Sequence, residues 1–197
     1  MPKGTHKQIY GIATRLGIAP VGGRDKRAFE YTTWANMLKR CYSEKELTIN
    51  PSYEDKSVCK DWLLYENFYD WCISVRYKEK GWQLDKDLLV KGNKVYGPET
   101  CVFLPPRING LILKCDKSRG DLPVGVHFDK NRLKYKATCQ NEFDKQSQKR
   151  FFTIEETFNW YKGEKERVIK AVADRYKDVI DPRAYEALIN YTVEITD

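Results

Sequence analysis

The chain has 197 residues, 41% of them hydrophobic and 13% aromatic, which supplies a core for one large or two small domains and excludes global disorder. The 35 Lys+Arg residues against 28 Asp+Glu leave a net charge of +7, a moderate excess that favours polyanion partners yet also suits an ordinary basic enzyme. No run of 18 apolar residues exists, and the polar N-terminus MPKGTHKQIYGIATRLG lacks the apolar stretch of a secretory signal, so a soluble intracellular protein with no membrane partner is expected.

Residues 1–24 read as a flexible basic arm, because GIAPVGGR disfavours continuous structure. From Arg27 to Tyr42, Phe29, Trp34, Met37, Leu38 and Cys41 recur at helical spacing and predict a helix. NPSYEDKSVCKDW then reads as a loop with a short extended segment. A second helix is expected from Trp62 to about Tyr77, with Leu63, Phe68, Trp71, Cys72 and Val75 as its buried face. WQLDKDLLV, the turn KGNK and the apolar CVFLP predict a hairpin, and Pro105-Pro106 opens a helix over RINGLILKC. CDKSRGDLP, residues 115–123, reads as a linker between a domain over 25–114 and one over 124–197. Six cysteines (Cys41, Cys59, Cys72, Cys101, Cys115, Cys139) form no CxxC pair, and only His6 and His127 could assist them. Reduced, mostly buried thiols are expected, and a zinc site would have to be assembled from distant residues.

In the second domain, GVHFDK, LKYKATCQ and QKRFF predict three short strands, followed by a long helix. Thr153 and Glu156 form a capping box at its start, and Ile154, Phe158, Tyr161, Val168, Val172 and Tyr176 give it an apolar face for the sheet. Asp181-Pro182 opens a last short helix. Between Leu122 and Phe152 seven basic residues (Lys130, Arg132, Lys134, Lys136, Lys145, Lys149, Arg150) meet three acids, a net +4 of the chain's +7. The two-residue spacing of Arg132, Lys134 and Lys136 puts them on one face of the middle strand, with Leu133, Tyr135 and Ala137 on the other. A basic face backed by an apolar one suits a sheet laid in a DNA groove, where Lys and Arg neutralise phosphates and Arg can grip guanine. The same pattern also describes a merely solvated sheet face.

The run GVHFDKNRLKYKATC...KRFFTIEETFNWYKGEKE resembles the Apetala/ethylene-response type of DNA-binding domain, known from plant transcription factors and found in phage homing endonucleases. The resemblance rests on Gly125-Val126, Tyr135 to Ala137, Phe152 and Thr153 to Glu156; the glycine usual before the third-strand Phe is absent. It implies three strands docked in the major groove with a helix behind; the DNA contacts expected on that sheet, from its charge, are His127, Lys130, Arg132, Lys134, Lys136, Lys149 and Arg150.

YTTWANMLKRCYS, CKDWLLYENFYDW and LDKDLLVKGNKVYGPETCVFLPPRIN resemble the HNH-type nuclease region of the same phage enzymes. That motif uses a His as general base and a divalent metal to stabilise charge on the phosphate. Here Asp85-Lys86 stands where the family carries Asp-His, and Thr100 where it carries a supporting Asn. Asp85 and Asn109 remain at the metal-ligand positions, with Asp87 as an extra candidate. Lys86 is a poor base, since a lysine of ordinary pKa (about 10.4) is protonated at neutral pH. The resemblance therefore implies that Lys86 binds phosphate while hydrolysis is lost or much weakened.

The expected class is α+β: a degenerate HNH-like domain of helices and a β-hairpin-helix, then a three-stranded antiparallel sheet packed on a long helix. The leading functional expectation is a sequence-specific double-stranded-DNA binder without catalysis or cofactor. It would be a phage homing endonuclease turned transcriptional repressor, as in a phage satellite or other mobile element, and a homodimer on a palindromic site. Two alternatives stay open. One is an active nuclease using Asp85, Lys86 and Asn109 with Mg²⁺ or Mn²⁺; the other is an RNA-binding or structural basic protein.

Overall fold

A computed structural model describes residues 8–23, 26–113 and 121–195 of the chain. The architecture is α+β, with helices and small sheets divided between two compact units, Met1–Pro106 and Arg107–Asp197. Much of the expected linker 115–123, together with Cys115 and His6, lies outside the described residues. No described helix is long and apolar enough to cross a membrane.

The first unit is built on helix α1 (Phe29–Tyr42), two residues shorter at its start than the periodicity predicts. Trp34, Met37, Leu38 and Cys41 form its buried face, as their spacing requires. The following stretch is not all loop: α2 (Glu44–Ile49) begins at Ser43, whose side chain accepts from the Glu46 N–H. Strand β1 (Ser57–Val58) and a 3-10 turn over Lys60–Leu63 lead to α3 (Tyr65–Ser74), so the predicted second helix begins three residues late.

The predicted hairpin is real as an antiparallel pair, β2 (Gln83–Asp85) against β4 (Val102–Leu104). The intervening chain leaves it to form β3 (Val95–Tyr96), which pairs in parallel with β1. Aromatic side chains fill the centre. The indole of Trp34 donates to the Trp62 carbonyl at 2.7 Å, and Trp62 and Phe68 meet edge to face at 5.0 Å. Buried in this way, each ring removes a large apolar area from water, and the Trp34 indole N–H still finds an acceptor.

Residues 8–23 are not a loose arm. Thr14 N–H donates to the Leu63 carbonyl at 2.9 Å, and the Tyr65 N–H donates back to the Thr14 carbonyl at 3.0 Å. The buried carboxylate of Glu66 accepts from the N–H groups of Leu16, Gly17 and Ile18 at 2.9, 3.0 and 3.3 Å. Burial pushes the Glu66 carboxyl up, but the backbone N–H donors led by Leu16 outweigh it and hold the pKa below its ordinary value. The segment is a strap, tied by a residue 50 positions away.

The second unit holds helix α4 (Pro106–Ile112) from Arg107 onward, strands β5 (Val126–Asp129), β6 (Lys134–Gln140) and β7 (Gln146–Phe151), and helices α5 (Ile154–Tyr176) and α6 (Pro182–Ile189). The strands form one antiparallel sheet in the order β5-β6-β7. The capping box forms as expected: Glu156 N–H donates to Thr153 Oγ1 at 3.2 Å, and Thr153 N–H to Glu156 Oε2 at 3.3 Å. Val126, Ala137 and Cys139 face Phe158, Tyr161, Val168 and Val172 in the core beneath the sheet. Gly125 has φ +75, and a Cβ there would overlap the Tyr161 ring, so glycine sets how closely the chain entering β5 approaches α5.

Candidate nucleic-acid interface

Strand register decides which side chains share the face that α5 does not cover. Ala137 is fully buried and pairs with Val126 on one side and Lys149 on the other, so these three positions face the helix. The opposite face carries the next row, His127, Lys136 and Arg150, one residue from each strand. Asp129 and Lys134 pair in the row beyond it. In the other direction lie Thr138 opposite Gln148 and Gln140 opposite Gln146. This outer face is polar from end to end until Phe152.

Asp129 organises its cations. Its Oδ2 accepts from Arg150 Nε at 2.8 Å and from Arg132 Nη1 at 3.3 Å. Asp129 lies on β5 and Arg150 on β7, so the arginine reaches across β6. The Arg150 and Arg132 guanidiniums hold the Asp129 carboxyl below its ordinary range. Among the described residues Lys130, Lys134 and Lys136 have no carboxylate partner; the Lys134 ammonium instead sits 4.2 Å from the Phe152 ring centroid. The other two acids of this region are engaged elsewhere, Glu142 with Arg167 and Asp144 with Arg107. The face is thus a set of positive charges and amide or hydroxyl groups with one acid, itself doubly paired.

Three of the expected positions differ. Arg132 and Leu133 belong to the β5–β6 turn and not to the strand; Leu133 has φ +51 and is 75% exposed, so it does not pack on the helix. Lys149 is exposed but points to the helix side of the edge strand, its ammonium 5.3 Å from the Phe151 ring centroid. It is therefore separated from Lys136 and Arg150 by the sheet itself.

The expected nuclease residues take structural roles. Lys86 is only 3% exposed; its ammonium pairs with Asp87 at 2.5 Å, donates to the Asn93 carbonyl at 3.1 Å and lies 5.6 Å from the Tyr96 ring centroid. A lysine so enclosed does not reach a phosphate. Asp85 Oδ1 accepts from the N–H groups of Asp87 and Leu88 at 3.0 and 2.7 Å, closing the turn after β2. Burial raises the Asp85 pKa above its ordinary value. Asn109 lies on α4, in the second unit. No group of three or more His, Cys, Asp and Glu residues suited to a metal occurs among the described residues. Burial pushes the Cys41 thiol up to about 11 and those of Cys72 and Cys101 up to about 12, which keeps them protonated and unreactive.

The roles of Asp129 and Phe152 escaped the sequence reading. Asp129 counted only as a charge to be subtracted, and Phe152 only as part of a motif. The alternation of Arg150, Phe151 and Phe152 was the available signal, once the register of β7 is known. No family model, curated protein or solved structure matches this chain.

Proposed function

We propose that the protein is a sequence-specific double-stranded-DNA binder that acts as a transcriptional repressor in the cytoplasm of a bacterial host. In this reading it descends from a phage homing endonuclease and has lost hydrolysis. The observation that carries the proposal is the outer face of the β5-β6-β7 sheet: His127, Lys134, Lys136 and Arg150 beside Thr138, Gln140, Gln146 and Gln148, with α5 occupying the other side. Three strands span about 10 Å between the outer two, and the major groove is about 12 Å wide. Lysines at the ends of such a sheet neutralise phosphates, while Arg and Gln are the side chains that pair with guanine and adenine edges. Repression follows from occupancy of a promoter; on a palindromic operator two copies bind as a symmetric dimer.

The nuclease reading, which requires Mg²⁺ or Mn²⁺, is the weaker one because Lys86 is enclosed and the Asp85 carboxylate closes a turn. Selection of bound fragments from sheared phage DNA, with cleavage scored in the same tubes with and without Mn²⁺, tests both. Recovery of a common sequence with uncut DNA is the expected result. Metal-dependent cutting abolished by Asp85→Ala, or preference for structured RNA over duplex DNA, would overturn it.

A further inference from the structure

Phe152 is the one large apolar side chain on the polar face of the sheet. It is 74% exposed, although its backbone is fixed on both sides by β7 and by the N-cap Thr153 of α5. An apolar residue just before a helix cap usually staples onto the fourth helical residue. Here that residue is Thr157, fully buried and with its hydroxyl donating to the Thr153 carbonyl at 2.6 Å, and Phe152 remains outside. Phe152 is the residue just after β7; its contact with Lys134 puts the ring on the face that carries Arg150, whereas Phe151 pairs with Tyr135 on the helix side. The Lys134 ammonium lies 4.2 Å from its ring centroid, and Lys136 and Arg150 follow in the next row of the same face. The ring is not part of the buried core, and what it touches is the Lys134 ammonium.

We infer that Phe152 is a specificity residue that rests against the C5-methyl group of a thymine in the major groove. This rests on the duplex-binding reading above. The charge around the ring matches the phosphate-lined walls of the groove. Within the groove the thymine methyl is the only apolar group the base edges present, so it is the feature an exposed phenyl ring on a cationic face can recognise. Because Phe152 sits between a strand and a capped helix, its backbone needs no ordering on binding.

The test uses the full chain and two preparations of the same sheared phage DNA, one amplified with dTTP and one with dUTP. Uracil keeps the charge and the pairing and removes only the methyl. Wild-type protein is expected to bind the selected fragments about fourfold more weakly when they contain uracil, the effect of losing one buried methyl group. Phe152→Ala is expected to bind the thymine form about tenfold more weakly than wild type and to show no further loss with uracil, at an unchanged thermal midpoint. Phe152→Leu, which keeps an apolar side chain, is expected to retain part of the discrimination. Equal binding of both DNA forms by wild type, or the same thymine-to-uracil ratio in Phe152→Ala as in wild type, overturns the thymine contact while leaving duplex binding intact. Failure of the wild type to bind either duplex overturns the underlying reading as well.

Discussion

Arg150 lies across the middle strand with its Nε donating to Asp129 Oδ2 at 2.8 Å, a bond that joins the two outer strands of the sheet over the face left open by α5. With Nε held, the guanidinium is oriented, and its Nη1 and Nη2 have no partner among the described residues. A preset fork of this kind is what bidentate base recognition uses. Asp129→Asn is therefore predicted to separate two quantities. Binding to random duplex should tighten, because a negative charge has gone, whereas the ratio of specific to random affinity should fall about tenfold. Anisotropy titrations with a selected and a scrambled duplex measure both, and a rise or no change in the ratio would show that Asp129 does not position Arg150.

Lys86 separates structure from binding in the opposite way. Its ammonium is enclosed by Asp87, the Asn93 carbonyl and the Tyr96 ring. Lys86→Ala leaves a buried carbonyl without its donor and a cavity beneath it, and should lower stability by about 3 kcal/mol. Affinity for duplex, measured below the lowered melting point, should stay within twofold of wild type. A lysine that bound phosphate would give the reverse pattern, with stability kept and affinity lost.

Backbone conformation offers a third check in the sheet unit. Leu133 holds φ +51 with its side chain in solvent, so the strain is compensated by no packing. Leu133→Asn should raise stability by about 1 kcal/mol, since Asn tolerates the left-handed region. Gly125→Ala has the opposite sign: both φ +75 and the Tyr161 ring oppose a Cβ, and a loss of about 3 kcal/mol is expected. Denaturant midpoints of the two variants should move in opposite directions.

The strap over residues 8–23 carries a pH dependence whose sign follows from Glu66. Its native pKa lies below the ordinary value, so the ionised carboxylate adds stability that is fully present above the ordinary glutamate range. That contribution is lost as pH falls through the lowered native value. Glu66→Gln should cost about 2 kcal/mol at neutral pH. The gap between variant and wild type should close in acid, and hydrogen exchange at Leu16, Gly17 and Ile18 should quicken in the variant. A gap independent of pH would assign those bonds no electrostatic part.

The elements written in local sequence were legible. Helix α1 follows from the spacing of Trp34, Leu38 and Cys41, and the start of α5 from Thr153 and Glu156, five positions that need nothing distant. The three strands of the second unit were legible for the same reason. What escaped depends on partners far along the chain. The strap looks like loose sequence because the carboxylate that ties it is Glu66. The parallel pair β1-β3 is two residues long on each side and joins segments with no shared pattern. On the candidate face, the sequence spacing joined Lys134 with Lys136, while the register of β7 was needed to add Arg150 and to put Lys149 on the far side, since one residue of register inverts every side chain. Lys86 escaped because charge reads as exposure until its partners Asp87 and Asn93 are known.

The most direct measurement of the central claim is the affinity of the triple variant Lys134→Ala, Lys136→Ala, Arg150→Ala for a selected duplex, titrated at several salt concentrations beside wild type. All three positions lie on the side of the sheet away from α5, so the fold should survive. A loss of at least about 100-fold in affinity is expected, with a salt dependence shallower by about two to three counterions and a thermal midpoint lowered only by the loss of the Arg150–Asp129 pair. Wild-type affinity and an unchanged salt slope in the triple variant would contradict that claim.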